Sequence, residues 1–237
     1  MSLKILIVDT ETTGLINAEP APKLLEVAAC LYHVESKAEL ATVQFLLYAD
    51  SNPASEINGI KEESLAAVNP DIPGMESLSK SVMSSAQALW DSADYVVAHN
   101  ASFDRHFLDP VFGVKSPKIW RCSLRDITFP KAKKAKALGY MAVDHGIFPF
   151  GAHRALNDVT VLTSLLKTVP DLADQLAKDP IENYRFEARD LPFSLNAEAK
   201  DRGFRWDSKS RVWYRLMTLK ESKDIPFNIV QVSFSHS

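Results

Sequence analysis

The sequence predicts an α/β layer fold built on a mixed sheet. Three observations carry this. Strand-like apolar runs come early in the chain, helical patterns interleave with them later, and the runs Lys4–Asp9 and Tyr95–Ala98 are apolar on both faces. A strand that is apolar on both sides is central and covered above and below.

The elements follow in order. Lys4–Asp9 (KILIVD) is the first strand. Leu24–Val34 and Glu39–Tyr48 are two more, and the short polar link Glu35-Ser-Lys-Ala suits a hairpin between them. Glu62–Val68 reads as a short helix stopped by Asn69-Pro70. Glu76–Ala93 is a longer helix, with Leu78, Val82, Ala86, Leu89 and Trp90 near helical spacing. Tyr95–Ala98 is a buried strand, Ser102–Leu108 a helix after a turn, and Ile119–Leu124 the last strand. Lys131–His145 reads as helical, and Arg154–Val169 as an amphipathic helix ending before Pro170.

Composition sets the class. The chain has 237 residues, 46% hydrophobic and 24% charged, which excludes disorder, collagen-like repeats and a disulfide-stapled miniprotein as whole-chain descriptions. No apolar run approaches the roughly 18 residues of a membrane helix. The N-terminus lacks the apolar core and cleavage site of a signal peptide. A soluble, cytoplasmic protein without membrane association is expected, and the two cysteines, Cys30 and Cys122, fit a reducing compartment. Cys30, inside an apolar run, reads as a small buried hydrophobe.

The net charge of −3 means that any nucleic-acid contact is local rather than carried by bulk charge. Residues 181–237 hold ten Lys/Arg against eight Asp/Glu, so the excess acid lies in residues 1–180. Nine of the 22 aromatics also fall after residue 180. These shifts divide the chain at Asp179-Pro180 into domains 1–180 and 181–237.

Three short stretches concentrate chemistry. In Asp9-Thr10-Glu11-Thr12-Thr13-Gly14-Leu15, the two acids point to one side of a strand end, where open α/β sheets place ligands. Adjacent carboxylates repel, and a divalent cation offsets this; an exposed acidic turn is the plainer alternative. In His99-Asn100-Ala101-Ser102-Phe103-Asp104, Asn100 or Ser102 is placed to cap the next helix, and Asp104 falls in its first turn. In His153-Arg154-Ala155-Leu156-Asn157-Asp158, a spacing of five puts two helical side chains about 140° apart. His153 therefore sits on the loop before the helix, as Gly151 suggests, or the pair does not converge. Asp158 lies beside an apolar stripe and calls for a partner, either a metal or a salt bridge.

Taken together, the three stretches resemble the DnaQ-like 3′→5′ exonucleases of the DEDDh type, from about Leu3 to Thr168. Ile57-Asn58-Gly59-Ile60 also resembles the connecting segment of that family. The resemblance implies an RNase H-like mixed β-sheet flanked by helices. It implies that Asp9, Glu11, Asp104 and Asp158 hold two divalent ions, magnesium or manganese, with Asp9 bridging them. It makes His153 the general base, with a ring pKa suited to neutral pH. It assigns Thr12, Thr13, Gly14 and Leu15 to the terminal nucleotide, with Leu15 wedged against the base, and Asn100 and Phe103 to the substrate groove. Phe103 reads equally as a core residue, and Asn58 is a lesser candidate.

The implied activity is hydrolysis of DNA from a single-stranded or frayed 3′ end to nucleoside 5′-monophosphates. It would serve as a stand-alone nuclease or in proofreading and repair, like the epsilon subunit of DNA polymerase III, with a polymerase then a partner. An RNA-trimming enzyme resembling RNase T or oligoribonuclease is the alternative. A non-catalytic nucleic-acid-binding or polymerase-associated module is the alternative from another class, and the presence of all five site residues argues against it. Arg121, Arg125, Lys131, Lys133, Lys134 and Lys136 read as a phosphate-tracking rim or as a solvated helix face.

The tail carries a separate pattern. Glu198–Arg202 reads as a helix ended by Gly203, and Phe204-Arg-Trp and Val212-Trp-Tyr as strands about the turn Asp207-Ser-Lys-Ser, a small α+β appendage. It resembles a small uncharacterised module with a Gly-x-x-Trp-Asp…Trp-Tyr pattern found attached to other domains. Trp206 and Trp213 are expected to be its core, with Arg205, Arg211 and Arg215 open to phosphates.

Overall fold

The computed structural model describes residues 2–133, 136–149, 151, 153–178, 184–208 and 210–232. The chain forms two compact units, 1–180 and 181–237. The Asp179-Pro180 boundary expected from sequence lies outside the described residues, as does Lys134.

The first unit is a mixed five-stranded sheet flanked by helices. β1 (Lys4–Thr12) pairs antiparallel with β2 (Leu24–His33), and β2 pairs antiparallel with β3 (Ala38–Leu46), the hairpin expected. β4 (Tyr95–Ala98) runs parallel to β1, and β5 (Ile119–Cys122) parallel to β4, giving the order β3-β2-β1-β4-β5. The helices are α1 (Ser55–Asn58), α2 (Glu62–Ala66), α3 (Met75–Ser92), α4 (Ser102–Leu108), α5 (Leu138–Asp144), α6 (Ala155–Leu166) and α7 (Leu172–Ala177). None of the described helices is long and apolar enough to cross a membrane.

Period-two alternation divides the core. Ile5 and Ile7 of β1 pack with Ala28, Cys30 and Val97 against Met141 and Ala142 of α5 and Val159, Leu162 and Leu165 of α6. Leu6 and Val8 pack with Val27, Ala29 and Val96 against Ala86 and Trp90 of α3 and Leu108 of α4. Each β1 residue past Val8 inherits one of these faces, and this parity decides which helix it meets.

Two expectations need correction. The helix expected over Lys131–His145 begins only at Leu138. Before it, the backbone N–H groups of Lys131 and Lys133 donate to the His145 ring (3.1 Å) and to Asp144 (3.0 Å). Those bonds hold an irregular loop in place of a first helical turn. Arg121 is not on a basic rim. It is 4% exposed, stacks over Tyr95 and donates to the Leu176 and Lys178 carbonyls at the C-terminus of α7, where the helix dipole favours a cation.

The second unit is an antiparallel sheet, β7-β8-β6-β9, of β6 (Tyr184–Ala188), β7 (Arg205–Asp207), β8 (Val212–Met217) and β9 (Ile229–Val232), with α8 (Asn196–Asp201) and α9 (Leu219–Ser222). Its core is Phe186, Ala188, Ala199, Phe204 and Met217, not the tryptophan pair. Trp213 flanks this core, while Trp206, opposite it on β7, is exposed and meets it edge-on at 5.8 Å. Residues 184–188, unassigned from sequence, supply the strand that both Phe186 and β8 need. Arg215 is paired with Glu221, while Arg205 and Arg211 stay exposed.

Candidate active site

The C-terminal end of β1 places three acids together. Asp9 and Glu11 share the parity of Ile5 and Ile7 and so face α6, whose first turn carries Asp158. One carboxylate oxygen from each lies within 4.8 Å of the others. Asp104 arrives from the opposite side of the sheet. It is buried in the first turn of α4 and accepts a hydrogen bond from the Thr10 hydroxyl at 2.9 Å, Thr10 having the parity of Leu6 and Val8. The structure thus gathers Asp9, Glu11 and Asp158 into one cluster and sets Asp104 behind the strand, held by Thr10.

Electrostatics joins the two sets. Burial holds the Asp9 carboxyl well above the usual carboxylate range, and Asp104, then Asp158 and Glu11, push it further up. Burial and Asp158 raise Glu11 to about 7. Burial raises Asp104 to about 7 against the opposing Thr10 hydrogen bond, and burial raises Asp158 against the His153 N–H. Carboxyls this reluctant to ionise call for positive charge, and a set of hard oxygen donors fits a hard divalent ion.

His153 sits on the loop before α6, which resolves the spacing problem. Its backbone is left-handed (φ 65°) and its N–H donates to Asp158 Oδ2 at 3.1 Å, while its side chain is exposed. The loop is tied down from its other end. Asn157 Nδ2 donates to the Gly151 carbonyl at 2.8 Å, and a Cβ on Gly151 would stand 2.5 Å from that nitrogen at a φ of 53°. Gly151→Ala therefore breaks the clasp and strains the turn. Activity is expected to fall roughly tenfold or more through kcat and Tm by a few degrees; wild-type kcat in steady-state assays would contradict this.

One residue of the site escaped the sequence reading. Glu26, directly opposite Glu11 on β2, is 0% exposed. Its carboxylate accepts from Arg154 Nε (3.1 Å) and Nη2 (2.8 Å), from Gln44 (2.5 Å) and from the backbone N–H of Ala155 (3.1 Å), the first residue of α6. Despite burial, these donors keep Glu26 below the usual carboxylate range. Glu26 thereby fastens the start of α6, with His153 and Asp158, to the sheet edge that carries Glu11. Its signal was a lone acid in the apolar run Leu24–Val34, a position that demands a partner.

The remaining predicted residues frame the strand end. Thr12 is buried and donates to the Gly14 carbonyl at 2.7 Å, and the Thr13 hydroxyl accepts from Lys23 N–H at 2.8 Å. Leu15 is 76% exposed. Asn58, buried in α1, donates to the Thr12 carbonyl at 3.2 Å and accepts from Asn52 at 2.9 Å, so the 52–60 segment is fixed to this turn. Asn100 is exposed with a left-handed backbone (φ 73°), and neither it nor Ser102 caps α4 through a side chain. Phe103 is half-buried against Phe107, ring centroids 5.2 Å apart.

Solved structures similar to this chain are exonucleases. Zinc-bound E. coli exonuclease I with single-stranded DNA aligns at a TM-score of 0.55 and 16% identity, over 79% of this chain and 48% of that one. The E. coli exonuclease I complex with a dT13 oligonucleotide gives 0.53 and 16%, over 82% and 50%. The chain thus spans about half the length of exonuclease I. A 3′-exonuclease solved in specific recognition of the 3′ end of a histone mRNA stem-loop gives 0.51 and 12%, over 96% of this chain and 94% of that one. The first unit accordingly has the RNase H-like fold of these exonucleases. Residues 187–232 match a family model described as a domain of unknown function (DUF8626), and no curated protein sequence matches the chain.

Proposed function

We propose that the protein is a metal-dependent 3′→5′ exonuclease that shortens single-stranded or frayed nucleic-acid ends to nucleoside 5′-monophosphates. The observation that carries this reading is the cluster of Asp9, Glu11 and Asp158 at the end of a central strand, with Asp104 behind it and His153 on the adjoining loop. Asp9, whose ionised form the other acids all disfavour, would be the central ligand of such ions, with Glu11, Asp158 and Asp104 as the further ligands.

Divalent ions bound there supply activation of the attacking water and neutralisation of the phosphate. The protein's own part is positioning and proton transfer. His153 accepts a proton from water at a ring nitrogen as the water oxygen bonds to phosphorus and the P–O3′ bond breaks; O3′ leaves on the shortened strand and takes up a proton. Leu15 packs against the terminal base, with Thr13, Gly14 and the Thr12 turn around it, and Asn100 and Phe103 border the strand.

DNA is the substrate we assign. An RNA-trimming activity is a second reading, favoured by the near-complete overlap with the histone mRNA 3′-exonuclease. Matched DNA and RNA oligonucleotides with magnesium or manganese test both; failure to release mononucleotides from either would reject the nuclease reading.

Linkage gives a further expectation. Burial and the neighbouring acids hold Glu11 at about 7 in the fold, against 4.5 for a free side chain, so without metal the folded state holds more protons across that window. Metal-free stability therefore falls as pH rises from about 5 to about 7. Magnesium competes with those protons, so the gain in Tm on adding saturating magnesium is expected to be about 5–10 °C at pH 8 and much smaller at pH 5. Equal gains at both pH values, by calorimetry, would contradict a metal site built from these acids.

A further inference from the structure

Beside the site lies a surface that the mechanism leaves unused. Two short stretches, 131–133 and 136–137, are pinned: Lys131 N–H to the His145 ring (3.1 Å), Lys133 N–H to Asp144 (3.0 Å), and the Lys136 carbonyl, which accepts from His99 Nε2 at 2.9 Å. Because a carbonyl only accepts, His99 carries its proton on Nε2 and takes the Ser123 hydroxyl on Nδ1 (2.8 Å). The lysine loop is thus fixed to the end of β4, next to Asn100 and the start of α4. Lys131, Lys133 and Lys136 are exposed, and only Lys133 has an acidic partner among the described residues, Asp144 at 3.5 Å.

Large apolar side chains stand with them. Tyr140 and Val143, three apart on α5, are 69% and 60% exposed, while Met141 and Ala142 face the core. The chain after α5 folds back along it: Ile147 N–H donates to the Ala142 carbonyl at 2.9 Å, and Pro149 sits against Gly139. Phe148, between Ile147 and Pro149, is 74% exposed and lies five residues before His153 in the chain.

We propose that this surface binds the single strand upstream of its 3′ end, the lysines meeting phosphates and Tyr140 and Phe148 stacking on bases. The direction of the strand rests on the nuclease reading; the binding chemistry does not. Exposed cations and exposed aromatics on one stretch of chain, joined through His99 to the Asn100 turn and leading to His153, are what a single strand needs, since phosphate contacts give affinity and stacking holds bases of any sequence. They also answer the overall negative charge, which rules out capture by bulk attraction.

The test uses the full chain, EDTA to prevent cleavage, and fluorescein-labelled dT3 and dT12 in anisotropy titrations. Wild type is expected to bind dT12 at least tenfold more tightly than dT3. Lys131→Glu with Lys136→Glu should abolish that gain and flatten the salt dependence by about 1.4 in log–log slope, at about 0.7 per phosphate contact on single strands. Tyr140→Ala should weaken dT12 binding about tenfold, the scale of one lost stacking contact. Wild type that binds both oligonucleotides equally, or a double-lysine variant with wild-type dT12 affinity and a wild-type circular dichroism spectrum, would overturn the surface. Hydrolysis of the nitrophenyl ester of thymidine 5′-monophosphate, too short to reach it, separates the two claims. A wild type inert on that ester with metal, yet showing the length-dependent binding, keeps the surface and discards the nuclease.

Discussion

Asp9→Asn is expected to remove exonuclease activity, by roughly a thousandfold or more in kcat, while making the metal-free protein more stable. Loss on that scale follows when a group central to a cooperative catalytic set is removed. The gain has the same origin. Asp9 is half-buried where Asp104, Asp158, Glu11 and Glu26 all disfavour its ionised form, so a neutral amide of equal size relieves the repulsion. Metal-free Tm at pH 8 is expected to rise by about 3–6 °C, and the stabilisation by magnesium to shrink. Opposite signs for activity and stability mark a residue kept for function. Lower Tm with retained turnover, from paired calorimetry and kinetics, would remove Asp9 from the centre of the site.

Arg154→Ala is expected to be the most destabilising change at the site. Arg154 makes a two-pronged pair with a Glu26 carboxylate that has no solvent exposure. Without the guanidinium, Glu26 keeps only Gln44 and the Ala155 N–H. A buried charge deprived of its partner costs about 3–5 kcal/mol; Arg154 is itself 40% exposed, which reduces this to about 2–3 kcal/mol, or a Tm fall of about 5–10 °C. Activity falls as well, because the same contacts fasten the start of α6, with His153 and Asp158. Glu26→Gln combined with Arg154→Met should recover much of the stability but not the activity. A single variant with unchanged Tm in thermal melts would show that the pair holds nothing in place.

Most of the architecture was legible because its signals are local. Apolar runs identified β1 and β4 and strand-like patterns β2, β3 and β5, and α4 was placed at Ser102–Leu108 from its sequence alone. The errors come from contacts distant in sequence. Nothing local distinguishes Lys131–Lys133 from helix, since the side chains that bind their N–H groups, His145 and Asp144, lie more than ten residues further on. Arg121 looks like a surface cation until the end of α7 supplies its carbonyls. β1 runs on through Glu11 and Thr12 because β2 offers partners up to Leu24.

At the site, all five acid and base positions were readable as strand-end or helix-start residues, and the family resemblance grouped them, but local pattern alone did not. Parity along β1 shows that Asp9 and Glu11 share a face. Which helix covers that face is a matter of topology, and this brings Asp158 into the cluster while leaving Asp104 on Thr10. Glu26 was visible as a charge in an apolar strand, and its partner Arg154, 128 residues away, was not.

The most direct test of the central claim is the product ladder from a 5′-labelled single-stranded DNA oligonucleotide incubated with the wild-type protein and magnesium or manganese. Stepwise shortening from the 3′ end, absent with EDTA and absent in Asp9→Asn, is the predicted result. Internal cuts, shortening that persists in EDTA, or an intact oligonucleotide under every condition would contradict a metal centre built from Asp9, Glu11 and Asp158.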